Sequence, residues 1–209
     1  MNNKEWYRLW VKYRDATKAR FLNIEIKALR RIVAQNAFVL DLMCGSSPFT
    51  RELPQATFVG IDFSRWMLHC RKTKSQLVQG DAYKLPFRSN SFDDVICMGN
   101  MIPSLKNAAN RRQLLAEARR VLKPGGKFIM SFYSRYALSL RTPLIIGSAI
   151  KNWNHWDFTF KEKILEKSFL HFYSFRELKG FMMGCGYESP ALESSRFRNQ
   201  QVASCMKPI

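Results

Sequence analysis

A chain of 209 residues, 46% apolar and 24% charged, has the size and composition of one globular domain with its own core, which excludes a disordered or fibrous chain. Its 34 Lys and Arg residues against 16 Asp and Glu give a net charge of +18, spread along the chain rather than gathered in one tail. Such a field favours anionic partners: RNA, an acidic membrane face, or phosphorylated or carboxylated small molecules.

Five cysteines (Cys44, Cys70, Cys97, Cys185, Cys205) form no CxxC pair, and His69, His155 and His171 stand at no ligand spacing. That pattern speaks against a disulfide framework and against a zinc site, and no metal is expected. A reducing cytoplasm is the expected location. The opening M-N-N-K-E-W-Y is polar, and the longest apolar stretch, Pro143 to Ile150, is too short to span a bilayer.

In chain order, Trp6 to about Val33 reads as helix. Trp6, Leu9, Trp10 and Tyr13 form one stripe, a break falls near 21–23, and Ile24, Ala28, Leu29, Ile32 and Val33 form a second. A strand at 37–42 precedes a short helix near 48–53. Residues 57–61 read as the second strand, followed by a helix capped by Ser64 and running to about Lys74. Gln76–Gln79 and Asp94–Met98 are the third and fourth strands, and a helix runs from Asn110 to Leu122. Lys123-Pro124-Gly125-Gly126 reads as a breaking turn into the strand Lys127–Phe132. Alternation of this kind predicts a mostly parallel α/β sheet covered on both faces.

Beyond Tyr133 the rhythm stops. Residues 135–172 are aromatic and read as irregular; a long insert at the carboxyl end of a strand lies over a binding crevice. A helix from Ser174 to about Gly184 opens with capping-box spacing, Ser174 to Glu177, and Gln201–Met206 reads as the last strand. The organisation expected is a single domain: an N-terminal helical cap (1–35), a cofactor-binding core (36–132), a substrate lid (133–173) and a C-terminal helix with strands (174–209).

Three carboxylates sit where strands end. Asp41 opens D-L-M-C-G-S-S, a strand-to-turn segment in which Gly45 lets backbone N–H groups approach a ligand. Asp62, in V-G-I-D-F-S, is 21 residues further on, where a carboxylate can accept from both hydroxyls of a ribose. Asp81 is followed by Ala82; a carboxylate beside a backbone amide can accept from the amino group of an adenine and donate to its ring.

With S-F-D-D-V and L-K-P-G-G-K-F following in order, residues 36–132 resemble the class I S-adenosylmethionine-dependent methyltransferases. The resemblance implies a Rossmann-like, seven-stranded, mostly parallel sheet whose last strand is antiparallel. The methyl donor, S-adenosyl-L-methionine, would lie above the carboxyl ends of the first strands. The cofactor set it implies is Asp41, Met43, Cys44 and Gly45 in the loop, Asp62 on the ribose, Phe63 packing on adenine, Asp81 and Ala82 at the adenine edge, and Gly99 near the reacting centre. The family pattern is acidic-x-Gly-x-Gly-x-Gly, whereas this chain has Asp41-x-Met43-x-Gly45-x-Ser47. The expectation is a working but altered loop, with Met43 folded over the cofactor or into the core.

The acceptor is less legible. Met98-Gly99-Asn100 resembles the Gly-Asn segment of small-molecule N-methyltransferases in this superfamily, which makes Asn100, facing the reacting centre, a candidate for hydrogen-bonding a substrate carboxylate or carbonyl. His171 stands where some members place a pocket histidine. Both are the catalytic candidates. No [DNS]-P-P-[YF] motif follows the fourth strand and no Pro-Cys nucleophile occurs, so a small-molecule acceptor, anionic or aromatic, is the leading reading. RNA methylation through the basic surface and a non-catalytic binding role remain alternatives, and the basic, Trp-bearing N-terminal helix suits contact with anionic lipid.

Overall fold

The computed structural model describes residues 23–45, 49–69, 75–135, 157–160, 168–194 and 200–209, with the backbone alone at 157–160 and 168. The predicted stripe of Trp6, Trp10 and Tyr13 lies outside them, as do Ser47, Cys70 and His155.

The strands are β1 (Phe38–Leu42), β2 (Thr57–Asp62), β3 (Gln76–Gln79), β4 (Phe92–Cys97), β5 (Leu122–Tyr133), β6 (Asp157–Phe160), β7 (Ser168–His171), β8 (Ala191–Leu192) and β9 (Gln200–Met206). The helices are α1 (23–32), α2 (Phe49–Glu52), α3 (Arg65–His69), α4 (Met101–Ser104), α5 (Ala108–Val121) and α6 (Phe175–Gly184). Seven strands form one sheet in the order β3-β2-β1-β4-β5-β9-β8. β1 to β5 are parallel, and β9 runs antiparallel between β5 and β8. The expected Rossmann-like sheet with its last strand antiparallel is therefore the observed one. Strand order reverses between β1 and β4, which opens a crevice above their carboxyl ends.

Successive side chains on a strand point to opposite faces, and each face here has its own core. Leu40, Val59, Val95, Cys97, Phe128 and Met130 face α5 and α6, packing on Leu114, Leu115, Ala118 and Leu178. Val39, Phe58, Ile96 and Ile129 face the other way, against Ile26, Leu29, Ile32 and Val33 of α1 and Phe49 and Leu53 by α2. This double burial is why the parallel strands read as nearly continuous apolar runs.

The breaker at 123–126 does not end a strand. Pairing runs from Phe92–Leu122 to Asp94–Lys127, so the extra residues are taken up as a bulge inside β5. Gly125, at φ 72°, donates its N–H to Lys207 O (2.9 Å), and a Cβ on Gly126 would lie 2.7 Å from Asp93 O. The insert is also more regular than its sequence suggests. Residues 157–160 and 168–171 pair as the antiparallel β6–β7, and Tyr173 bridges to Ser134 just past β5. The capping box of α6 forms: Ser174 Oγ accepts the Glu177 N–H (3.1 Å). No described helix is long and apolar enough to cross a membrane.

One core residue carries a pH signature. Asp94 is 5% exposed, and burial, only partly offset by Lys127, raises its pKa to about 6. A carboxyl whose folded pKa lies above its unfolded value favours folding below the unfolded value and loses that contribution as pH rises through the folded one. Two units correspond to about 3 kcal/mol. Asp94→Asn is expected to raise the urea stability by roughly 1–3 kcal/mol at pH 7.5 and to change it little at pH 4. Equal effects at the two pH values would show that the carboxylate is not destabilised by its site.

Candidate functional site

The crevice begins where β1 ends. Asp41 is 1% exposed and shares the α1-facing side of the sheet with Val39. The chain then turns through two left-handed residues, Met43 (φ 52°) and Gly45 (φ 46°). Cys44 lies between them, buried, its N–H donating to Ile61 O at 3.0 Å. Met43 keeps the left-handed backbone of a glycine position and packs its side chain on the α5–α6 side of the core. Of the two destinations expected for Met43, it takes the core.

Magnitudes decide what that costs. A left-handed non-glycine residue costs about 1–2 kcal/mol, while half-burying a Met regains on the order of 1 kcal/mol. Met43→Gly is therefore expected to leave thermal stability nearly unchanged, as relief of strain cancels lost packing. Met43→Val, β-branched at positive φ, should lose about 2 kcal/mol or more. A Val variant as stable as wild type would mean that the turn relaxes out of the left-handed region.

Asp62, the last residue of β2, organises the turn. Its Oδ2 accepts the Gly45 N–H (2.8 Å) and its Oδ1 the Ser64 N–H (2.8 Å). Its own carbonyl takes the Gly80 N–H at 3.1 Å. One carboxylate thus ties the loop after β1 to the start of α3, while its backbone ties β2 to the segment after β3. Ser64 caps α3 through the Met67 N–H (3.3 Å), as its sequence position predicts. Phe63 is 70% exposed, an unusual state for a large apolar ring and a ready platform for a flat heterocycle. Asp81 is exposed and builds its own turn, with Oδ1 accepting the Tyr83 N–H (2.9 Å) beside half-buried Ala82.

At the end of β4, Gly99 (φ 72°) and Asn100 (φ 57°) make a second left-handed pair, leading into α4. The Gly99 N–H donates to Glu25 Oε1 (2.8 Å) and the Asn100 N–H to Ser131 Oγ (2.9 Å). Asn100 is 5% exposed, and its Oδ1 is buried with no hydrogen-bond partner among the described residues. A buried acceptor without a donor is costly, and a ligand N–H or O–H would satisfy it. The carboxylates Asp41 and Glu25 both lie close enough to Cys97 to push its thiol pKa up, adding to the larger effect of burial.

His171 closes the arrangement from β7, which packs on α4. It is 5% exposed, its Nε2 lies 2.8 Å from Glu177 Oε1, and its ring meets Tyr173 edge-on at 4.3 Å. Glu177 also pairs with Arg135. Burial works against the Glu177 charge, but the contacts with His171, Arg135 and the Ser174 amide outweigh it and hold its pKa below the usual value.

The predicted residues accordingly fall along the carboxyl ends of β1 to β4, with His171 brought in over α4. Sequence reasoning missed Glu25, Ser131, Gln200 and Arg135. Only Glu25 left a signal: it is a carboxylate four residues before Leu29 and seven before Ile32, inside an apolar stripe. Among the described residues no cluster could hold a metal ion.

Comparison with known proteins bears on this geometry. A methyltransferase domain family matches residues 40–130. A demethylmenaquinone methyltransferase of Staphylococcus saprophyticus is 40% identical over 109 residues, covering 46% of this chain and 45% of that protein. One of Lactiplantibacillus plantarum is 29% identical over 193 residues, covering 79% and 76%. The chain thus spans about half the length of the first of these relatives and three quarters of the second. A SAM-dependent methyltransferase of Methanosarcina mazei superposes with a TM-score of 0.66 over 85% of this chain and 94% of its own, at 18% identity, which is a likeness of fold.

Proposed function

Because the chain belongs to the class I S-adenosylmethionine-dependent methyltransferase superfamily, we propose that it moves a methyl group from S-adenosylmethionine to a small aromatic, hydroxyl-bearing acceptor of the quinol type. The observation that carries the reading is the pairing of two left-handed turns, at Met43–Gly45 and Gly99–Asn100, across the point where strand order reverses. Both follow the carboxyl ends of strands, and Asn100 Oδ1 in the second has no donor among the described residues. S-Adenosylmethionine carries an ammonium and two ribose hydroxyls as donors, which suit the Asp62 carboxylate and Asn100 Oδ1, and an adenine that suits the exposed Phe63 ring, so the residues fit the group.

When bound, that cofactor supplies a methyl already activated on sulfur. The residues then have three tasks. Asp62 orients the ribose while keeping the Gly45 loop in shape, and Phe63, Asp81 and Ala82 hold the adenine. Asn100 accepts from a donor group in the crevice and excludes water from the reacting atoms. His171, with Nε2–H donating to Glu177, takes the acceptor's hydroxyl proton at Nδ1, so that a ring carbon of the acceptor bonds to the methyl as the S–CH3 bond breaks and the neutral thioether leaves; the proton on that carbon then goes to solvent and His171 returns its own to the oxygen. The quinol assignment is supported by the names of the relatives and by the aromatic composition of residues 133–173.

The test is methyl incorporation from labelled S-adenosylmethionine into a demethylated naphthoquinol under reducing conditions, beside calorimetric titration with S-adenosylhomocysteine. Labelled, organic-soluble product is expected. Tight binding of S-adenosylhomocysteine without product would remove the quinol assignment and leave the cofactor; absence of binding by folded protein would remove both.

A further inference from the structure

We propose that Glu25 is a positioning residue: it fixes the Gly99–Asn100 turn and thereby aims Asn100 Oδ1 into the crevice. The identity of the ligand met there rests on the methyl-transfer reading; the positioning itself does not.

Glu25 belongs to α1, on the opposite layer from α5 and α6, and nothing in the cofactor motifs calls for it. Yet it is 2% exposed, and a carboxylate is seldom buried so fully without a task. Its Oε1 takes two donors, the Gly99 N–H at 2.8 Å and Gln200 Nε2 at 2.7 Å. Gln200, at the start of β9, is itself 1% exposed. One oxygen therefore joins three distant parts of the chain: the N-terminal helix, the last strand and the turn after β4.

The turn needs such support. Two consecutive left-handed residues, the second an asparagine, persist only where the surroundings over-determine them. Here the two successive amides are pinned from opposite directions, Gly99 by Glu25 and Asn100 by Ser131 Oγ. Ser131 lies on β5, inside the rigid sheet. Glu25 is the anchor supplied from outside it, so the docking of α1 and the direction of Asn100 Oδ1 are one equilibrium. Both amides being fixed, the backbone that sets the direction in which the Asn100 side chain leaves the turn is held, while its Oδ1 stays without a donor among the described residues. That combination is a pre-organised acceptor.

Glu25→Gln retains an oxygen able to accept from Gly99 and Gln200, whereas Glu25→Ala removes it. The probe is S-adenosylhomocysteine in calorimetry, with amide hydrogen exchange at Gly99 read on the same proteins without ligand. Leu115→Ala, in the core of the opposite layer, serves as a variant that lowers the melting temperature without touching the turn. Glu25→Gln is expected to keep Kd within about threefold of wild type. Glu25→Ala should weaken binding about 10- to 100-fold, a size typical of ångström-scale misplacement, and speed Gly99 exchange more than tenfold. Leu115→Ala should leave both unchanged. Wild-type affinity in Glu25→Ala, or equal losses in Glu25→Gln and Glu25→Ala, would overturn the positioning role. If wild type binds no S-adenosylhomocysteine, the methyl-transfer reading fails by itself, and Gly99 exchange then decides the positioning: unchanged exchange in Glu25→Ala overturns it, faster exchange upholds it.

Discussion

Asp62→Ala is expected to lower affinity for S-adenosylhomocysteine by at least about 100-fold, the largest loss for any single change in the crevice. Two effects combine. The hydrogen bonds to charged oxygen at the ribose are each worth about 1.5–3 kcal/mol, and about 1.4 kcal/mol is a factor of ten in affinity. The same carboxylate also accepts from Gly45 N and Ser64 N, so its loss frees the loop after β1 and the entry to α3. Asp62→Asn separates the two. It keeps one acceptor oxygen but turns an amide N–H₂ toward either the Gly45 or the Ser64 amide, so an intermediate loss is expected. Calorimetry gives the affinity, and thermal unfolding of the unliganded protein gives the loop's share. If Asp62→Ala melts several degrees lower yet binds as tightly as wild type, Asp62 is a scaffold residue alone.

The double role of Asp62 also marks how much of the site the sequence made legible. The carboxylates at strand ends stand out because they interrupt apolar runs: V-L-D after two buried positions, V-G-I-D after four. The sheet is legible for the same reason, since strands buried on both faces must be apolar almost throughout. Where reading falls short, the deciding contact is remote in sequence. The Lys123–Gly126 segment has every mark of a turn, but Gly126 passes so close to Asp93 O that the pairing of β4 with β5 resumes beyond it and the segment becomes a bulge. The β6–β7 pair lies in a stretch without clean alternation, and it is held beside the sheet through Tyr173, whose N–H reaches Tyr133 O at 3.0 Å. Glu25 stands out only as a carboxylate inside the apolar stripe of α1; what it binds, the turn after β4, is remote in sequence. Met43 is the informative case. Its side chain argues against a tight turn, yet the Cys44–Ile61 and Gly45–Asp62 bonds on its far side impose a left-handed backbone. Local preference was overruled by two hydrogen bonds and a packed side chain, which is why a missing glycine in the pattern did not remove the loop.

His171→Gln is expected to lower kcat by about 10²- to 10⁴-fold with the quinol acceptor, the usual contribution of a positioned base, while S-adenosylhomocysteine affinity stays within about threefold. The separation follows from placement. His171 lies on β7, which packs on α4 after β4, whereas Asp62–Phe63 and Asp81–Ala82 follow β2 and β3 at the other edge of the sheet. Glu177 decides between a proton-accepting and a packing role. Its carboxylate accepts from Nε2 in the proposed mechanism, which leaves Nδ1 as the atom proposed to take the proton, and Arg135 pairs with the same carboxylate. Glu177→Gln retains an acceptor for Nε2–H but loses the charge that stabilises the imidazolium formed during transfer. It should therefore cost less than His171→Gln, roughly 10-fold in kcat, with little change in KM. A packing histidine predicts another pattern. The ring stacks edge-on with Tyr173 and is nearly buried, so His171→Phe would preserve much of that contact and of the melting temperature. Full activity in His171→Phe would assign proton removal to another group or to solvent; inactivity at unchanged stability and unchanged cofactor affinity would place the base at Nδ1.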